Sequence, residues 1–141
     1  MTLTTLIRSA TFSAAYRYFN PELSVAENKN VFGSLYREHG FGHNFQLEAH
    51  LQGQVDGVTG MVLNLSVFDR HLKKVIAPLD HVLLNELPVF AGQVPTPERI
   101  CQHLHRELEA SLLAELPHRA DLKLVKVRLY EGDSLWVDYF A

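Results

Sequence analysis

The chain has 141 residues, 47% of them apolar and 21% charged, with a formal net charge of −3. That size suits one domain with a buried core, expected to span residues 1–141, and the slightly acidic balance speaks against a nucleic-acid partner, which calls for a basic face. No apolar run nears the roughly 20 residues of a membrane span, and the single cysteine, Cys101, leaves no internal disulfide. Met1-Thr2-Leu3-Thr4-Thr5 carries no basic segment leading into an apolar stretch, so the expected location is the cytoplasm.

In chain order, residues 4–16 mix β-branched and small residues in near alternation and predict a strand. Residues 19–40, punctuated by Asn20-Pro21, Gly33 and His39-Gly40, predict a long loop with one helical turn at 24–30. Loops of that length in compact domains are usually functional or disordered. The next strand is cleaner: His43, Phe45, Leu47, Ala49 and Leu51 fall on one face, and Asn44, Gln46, Glu48, His50 and Gln52 on the other. Gln54-Val55-Asp56-Gly57 reads as a turn, and Gly60–Asn64 as a short third strand. Ser66-Val67-Phe68-Asp69 looks like an acidic capping box opening a helix to about Ala77, ended by Pro78. A second helix is expected from Thr96 as N-cap, with Pro97 at its first position, to about Glu115. Its buried side would carry Ile100, Cys101, Leu104, Leu108 and Leu112, which makes Cys101 a core residue. Strands at about 121–131 and 134–140 close the chain, joined at Gly132-Asp133. This order predicts an α+β fold, a four-stranded antiparallel sheet with two helices on one face.

Glu131 continues the row of Val125, Val127 and Leu129. A carboxylate in such a row needs a partner, because burying it alone is costly. Asp80-His81 places a carboxylate beside an imidazole, which fixes the tautomer and raises the basicity of the ring. His71, His103, His105 and His118 show no ligand spacing and are expected on the surface or on helix faces.

Phe12-Ser13-Ala14-Ala15-Tyr16-Arg17 resembles the F-S-A-A-H-R opening of the 6-pyruvoyltetrahydropterin and 6-carboxytetrahydropterin synthase family, and Gly40-Phe41-Gly42-His43-Asn44-Phe45 resembles its G-H-G-H-N-Y signature. Thr59–Leu65 is similar to its T-G-M-V-x-N-L, Leu79-Asp80-His81 to its L-D-H, Pro95–Glu98 to its P-T-x-E, and Tyr130-Glu131 to its late E-T segment. Singly these are weak; in order and at family spacing they are specific. The resemblance implies the tunnelling fold (T-fold), in which such sheets join edge to edge into an oligomeric barrel, with trimers stacked as a homohexamer.

The resemblance also implies a small-molecule pterin as partner, and functional residues. In the family three histidines hold a catalytic zinc, which binds the side-chain hydroxyls of a dihydropterin; those positions here are Tyr16, Phe41 and His43. His43 is thus the one retained metal candidate, with His39 the nearest other imidazole, and the expectation is that no cofactor is needed. The family's catalytic cysteine falls on Leu35, which cannot accept a proton; Glu38 lies nearby. Asp80 and His81 match the proton relay, Glu131 the pterin anchor, and Thr96 and Glu98 line the same pocket, with Arg99 where asparagine is usual. The expected function is lyase- or aldolase-like action on the side chain of a 7,8-dihydroneopterin-type substrate, with Asp80, His81 and Tyr16 catalytic. The alternative is an inactive homologue that binds a pterin or purine-like ligand, or serves structurally.

Overall fold

Alternation in the sequence becomes an antiparallel sheet of four strands, β1 (Thr4–Tyr16), β2 (Phe41–Gly53), β3 (Lys123–Tyr130) and β4 (Trp136–Phe140), in the order β1-β2-β3-β4. The computed structural model describes residues 2–140; Met1 and Ala141, the end positions of the expected domain, lie outside them. β1 and β2 pair without interruption from Thr4↔Gly53 to Tyr16↔Phe41. The predicted face of β2 is the buried one, and Phe12 of β1 stacks on Phe45 with ring centroids 5.0 Å apart.

Two helices cover that face, α2 (Leu65–Ile76) against β1 and α3 (Pro97–Glu115) against β3 and β4; a shorter α1 (Val25–Phe32) lies in the long loop. The expected stripe of α3 is buried in full, and Cys101 Sγ sits 3.5 Å from the Val127 carbonyl oxygen. Burial is the main cause that pushes its thiol up to about 12, so it stays protonated at neutral pH. Thr96 caps α3 by accepting from the Arg99 N–H, as its sequence position predicts.

Several details differ from the sequence expectation. Residues 60–64 form no strand: Asp56 accepts from the N–H groups of Val58 and Thr59 and closes a turn, from which Val62 and Leu63 enter the core. Asn64, not Ser66, caps α2, because its side chain accepts from the Ser66 N–H. The helical turn in the long loop is a full α1, held by a Ser24–Glu27 capping box and by Asn28, whose buried amide bonds the backbone of Asn20, Leu23 and Ser24. The inward row of β3 is Leu124, Val127 and Leu129, since the register shifts at His50/Leu51 and leaves Val125 unpaired with β2.

Three histidines expected at the surface or on helix faces are buried. His71 bridges α2 to Ser111 (2.6 Å) and Glu115 of α3, His105 contacts the Leu124 carbonyl oxygen at 3.0 Å, and His103 packs edge-on to Phe90. Both edge strands expose large apolar side chains, among them Ile7 on β1 and Trp136 and Phe140 on β4. The far end of β1 is covered, where Ala15 N–H donates to the Val82 carbonyl and His81 N–H to the Ser13 carbonyl.

Candidate functional site

The end of β1 and the start of β2 bring Tyr16, Phe41 and His43 side by side, because Tyr16 pairs with Phe41 and Ala14 with His43. Gly40 makes this entry possible. It adopts φ +74°, and a Cβ there would lie 2.5 Å from the Tyr16 carbonyl oxygen. Gly40→Ala should therefore cost at least about 2 kcal/mol, combining left-handed strain with a backbone clash. Urea denaturation should show the loss; an unchanged midpoint would contradict the close approach.

Glu131, just past β3, turns back beneath these residues. Its side chain is 8% exposed, and Oε1 accepts the Tyr16 hydroxyl at 2.9 Å while His43 Nε2 lies 2.7 Å from the same oxygen. Oε2 is buried without a hydrogen-bond partner among the described residues. The carboxylate is thus not solvated past the strand end; it is one layer behind His43, and half of its acceptor capacity is unused. The Tyr16 hydroxyl also lies 3.3 Å from that of Tyr18. Burial first, then the bonds to Tyr18 and Glu131, raise the Tyr16 phenol well above its ordinary range, so it remains a donor. At 1% exposure Tyr16 supports Glu131 from within the core.

His43 and His81 both border a depression of about 460 Å³, with Ser13 and Asn44 between them joined by a 2.6 Å hydrogen bond. Asp80 lies beside His81, Oδ1 being 2.9 Å from Nδ1, and it accepts the Ser13 N–H at 2.9 Å. That N–H chiefly, helped by His81, holds the Asp80 carboxyl below the usual carboxylate range. The His81 side chain is 80% exposed, and its backbone adopts φ +59°, a left-handed conformation costly for a side-chain-bearing residue. His81 is held to β1 by its own N–H on the Ser13 carbonyl and by the neighbouring Val82 carbonyl on the Ala15 N–H, with its ring presented outward.

The structure does not bring every candidate to this place. Thr96 and Glu98 line a separate depression of about 570 Å³ with Gln93, Arg99 and Arg106. Glu38 and His39 are on the surface, 4.0 Å from each other, and Leu35 is exposed. Asn85 had no sequence signal, yet its amide clamps both the N–H and the carbonyl of Arg17 and so fixes the chain after Tyr16. Tyr18 likewise gave none.

The donors present do not fit a three-imidazole zinc site. Phe41 offers no lone pair, the Tyr16 proton is held firmly, and His43 Nε2 already faces a carboxylate. Among the described residues no group of three or more His, Cys, Asp or Glu could hold a metal ion. No helix among them is long and apolar enough to cross a membrane.

The family model for 6-pyruvoyl tetrahydropterin synthase matches residues 5–141. The chain is 35% identical over 136 residues to a 6-pyruvoyl tetrahydrobiopterin synthase of Poecilia reticulata, covering 95% of this chain and 88% of that protein. It is 34% identical over 134 residues to the Homo sapiens 6-pyruvoyl tetrahydrobiopterin synthase, with 94% and 88% covered. The solved 6-pyruvoyl tetrahydropterin synthase of Caenorhabditis elegans superposes with a TM-score of 0.89 at 30% identity, covering 100% of this chain and 97% of that one. The four-stranded sheet with its helices is that of these T-fold structures.

Proposed function

The chain belongs to the 6-pyruvoyl tetrahydropterin synthase family, and from that premise we propose that it binds a 7,8-dihydropterin and acts on its side chain as a lyase without a zinc ion. The observation that carries this reading is Glu131: a carboxylate more than nine-tenths buried, with Oε2 unpartnered. A pterin offers adjacent donors, its N3–H and 2-amino group, that suit a carboxylate. Leaving such an acceptor buried and unmet costs stability, which a ligand restores.

In this reading Asp80 orients His81, and the exposed ring of His81 moves protons at the side chain. Tyr16 keeps Glu131 in place and does not touch the substrate. Thr96 and Glu98 complete the pocket from a neighbouring subunit of a homohexamer, since within one chain they line a different depression. The outer edges of β1 and β4, both carrying exposed apolar residues, favour such closure. Leu35 favours a second reading, a ligand-binding homologue without turnover, because it stands where the family places its general base.

Overnight incubation with 7,8-dihydroneopterin triphosphate or 7,8-dihydroneopterin, followed by chromatography, separates the two. New pterin products are expected, lowered by roughly 10²-fold or more in His81→Ala with binding retained. Binding without products would leave the second reading; light scattering on the same sample should return a multiple of the 16.0 kDa chain.

A further inference from the structure

Arg8, Arg70, Arg119 and Arg128 each meet a carboxylate within 2.9 Å. Arg99 and Arg106 pair with no carboxylate among the described residues; Arg99 instead donates to the Gln93 amide oxygen at 2.7 Å. Both stand on one face of α3 with Gln102 and His103, at the spacing i, i+3, i+4, i+7. All four border the 570 Å³ depression, together with Val89 and Phe90. His103 is the buried member, 8% exposed and edge-on to the Phe90 ring, and its Nδ1 has no partner among the described residues. Burial chiefly holds this imidazole below its ordinary range, so the ring is neutral at neutral pH and carries one N–H donor. A buried polar group left unmet costs stability, which a ligand beside two unpaired guanidinium groups would restore. Glu98 is the acid at the border of this depression, while Glu107 and Glu109 border adjacent ones.

We propose that this stripe of α3 binds the phosphoryl group of a small organic phosphate monoester, at a site apart from the Glu131 depression. Two guanidinium groups supply planar forks of N–H donors, to which Gln102 and His103 add their own. That set exceeds what the two oxygens of a carboxylate can accept, and it suits the three oxygens and double charge of a phosphoryl group. Arg99 and Arg106 are about 10 Å apart along the helix axis, a gap that their long side chains close around one such group. Gln93 already holds the Arg99 fork in place. A bare phosphate would leave most of the depression empty, whereas Val89 and Phe90 give an apolar surface to an organic part. Thr96 and Glu98 stand at the start of α3, and Arg106 lies about 12 Å beyond Glu98 along the axis. The stripe thus leads away from the end assigned to a neighbour's pterin pocket, and the proposal does not rest on the dihydropterin reading.

Full-length protein is titrated by calorimetry with phenyl phosphate, inorganic phosphate and benzoate. Phenyl phosphate is expected to bind saturably, more tightly than inorganic phosphate and about tenfold or more tighter than benzoate. Arg99→Gln and Arg106→Gln should each weaken it about tenfold, the loss of one charge-assisted contact. Lys73→Gln removes an exposed cation of α2 outside the depression and should leave Kd within about twofold. All three positions are exposed on helices, so the variants keep the fold, which circular dichroism checks. Equal affinity in wild type and both arginine variants, an equal loss in Lys73→Gln, or benzoate binding as tightly as phenyl phosphate would each overturn the proposal. Inorganic phosphate binding more tightly than phenyl phosphate would overturn the monoester assignment. In a second arm the protein is first loaded with 7,8-dihydroneopterin and followed by ligand fluorescence. Displacement by phenyl phosphate would put the anion in the pterin pocket and overturn the separate site; retention of the pterin is the expected result. Absence of pterin binding would remove the dihydropterin reading and leave the phosphate result to stand by itself.

Discussion

Replacing Glu131 by glutamine should weaken binding of 7,8-dihydroneopterin by about 2 kcal/mol, about 30-fold in Kd. The carboxylate is 8% exposed, and Oε2 has no partner among the described residues, so the ligand's two donors would meet an acceptor already desolvated. An amide presents one acceptor and one donor, and its NH2 would face the ligand's own N–H groups. It would also lose the charge that faces His43. Fold integrity is checked by circular dichroism, because Tyr16 donates to the same group. Equal affinity in wild type and variant would mean that the buried carboxylate has no pterin to hold.

The second large effect concerns metal. Wild-type protein should carry far less than one zinc per chain after mild chelation, since Tyr16 retains its proton and Phe41 has no donor. Returning imidazoles at both positions, Tyr16→His with Phe41→His, should bring zinc to one per chain. The backbone already places positions 16, 41 and 43 together through the Tyr16↔Phe41 and Ala14↔His43 pairs, so three neutral rings could converge. Metal content is read by atomic emission. Stoichiometric zinc in wild type that survives chelation would show that ligands outside these positions have been recruited.

The parts legible in the sequence are those governed by short periods and local caps. Alternation in β2 and the stripe of α3 gave both buried faces, and Thr96-Pro97 gave the start of α3. Residues 60–64 looked like a strand because Met61, Val62 and Leu63 are apolar, yet the Asp56 turn decides their path and the apolar side chains plug the core from a loop. The β3 row slipped by one at Val125 because a register shift leaves no mark on composition. Buried histidines were illegible for a related reason: His71 meets Ser111 and Glu115 forty or more positions away, so only the packing of α2 on α3 satisfies it. Within the site, Asp80-His81 is contiguous and could be read directly. The Tyr16–Glu131–His43 cluster joins Glu131 to residues more than eighty positions away, contacts that no local pattern announces.

Equilibrium titration of chelator-treated protein with 7,8-dihydroneopterin, followed by ligand fluorescence, asks most directly whether this site takes a dihydropterin without metal. Saturable binding of one ligand per chain, unchanged when zinc is added back, is the predicted result. Binding that appears only after zinc is restored, or no saturable binding at all, would contradict it.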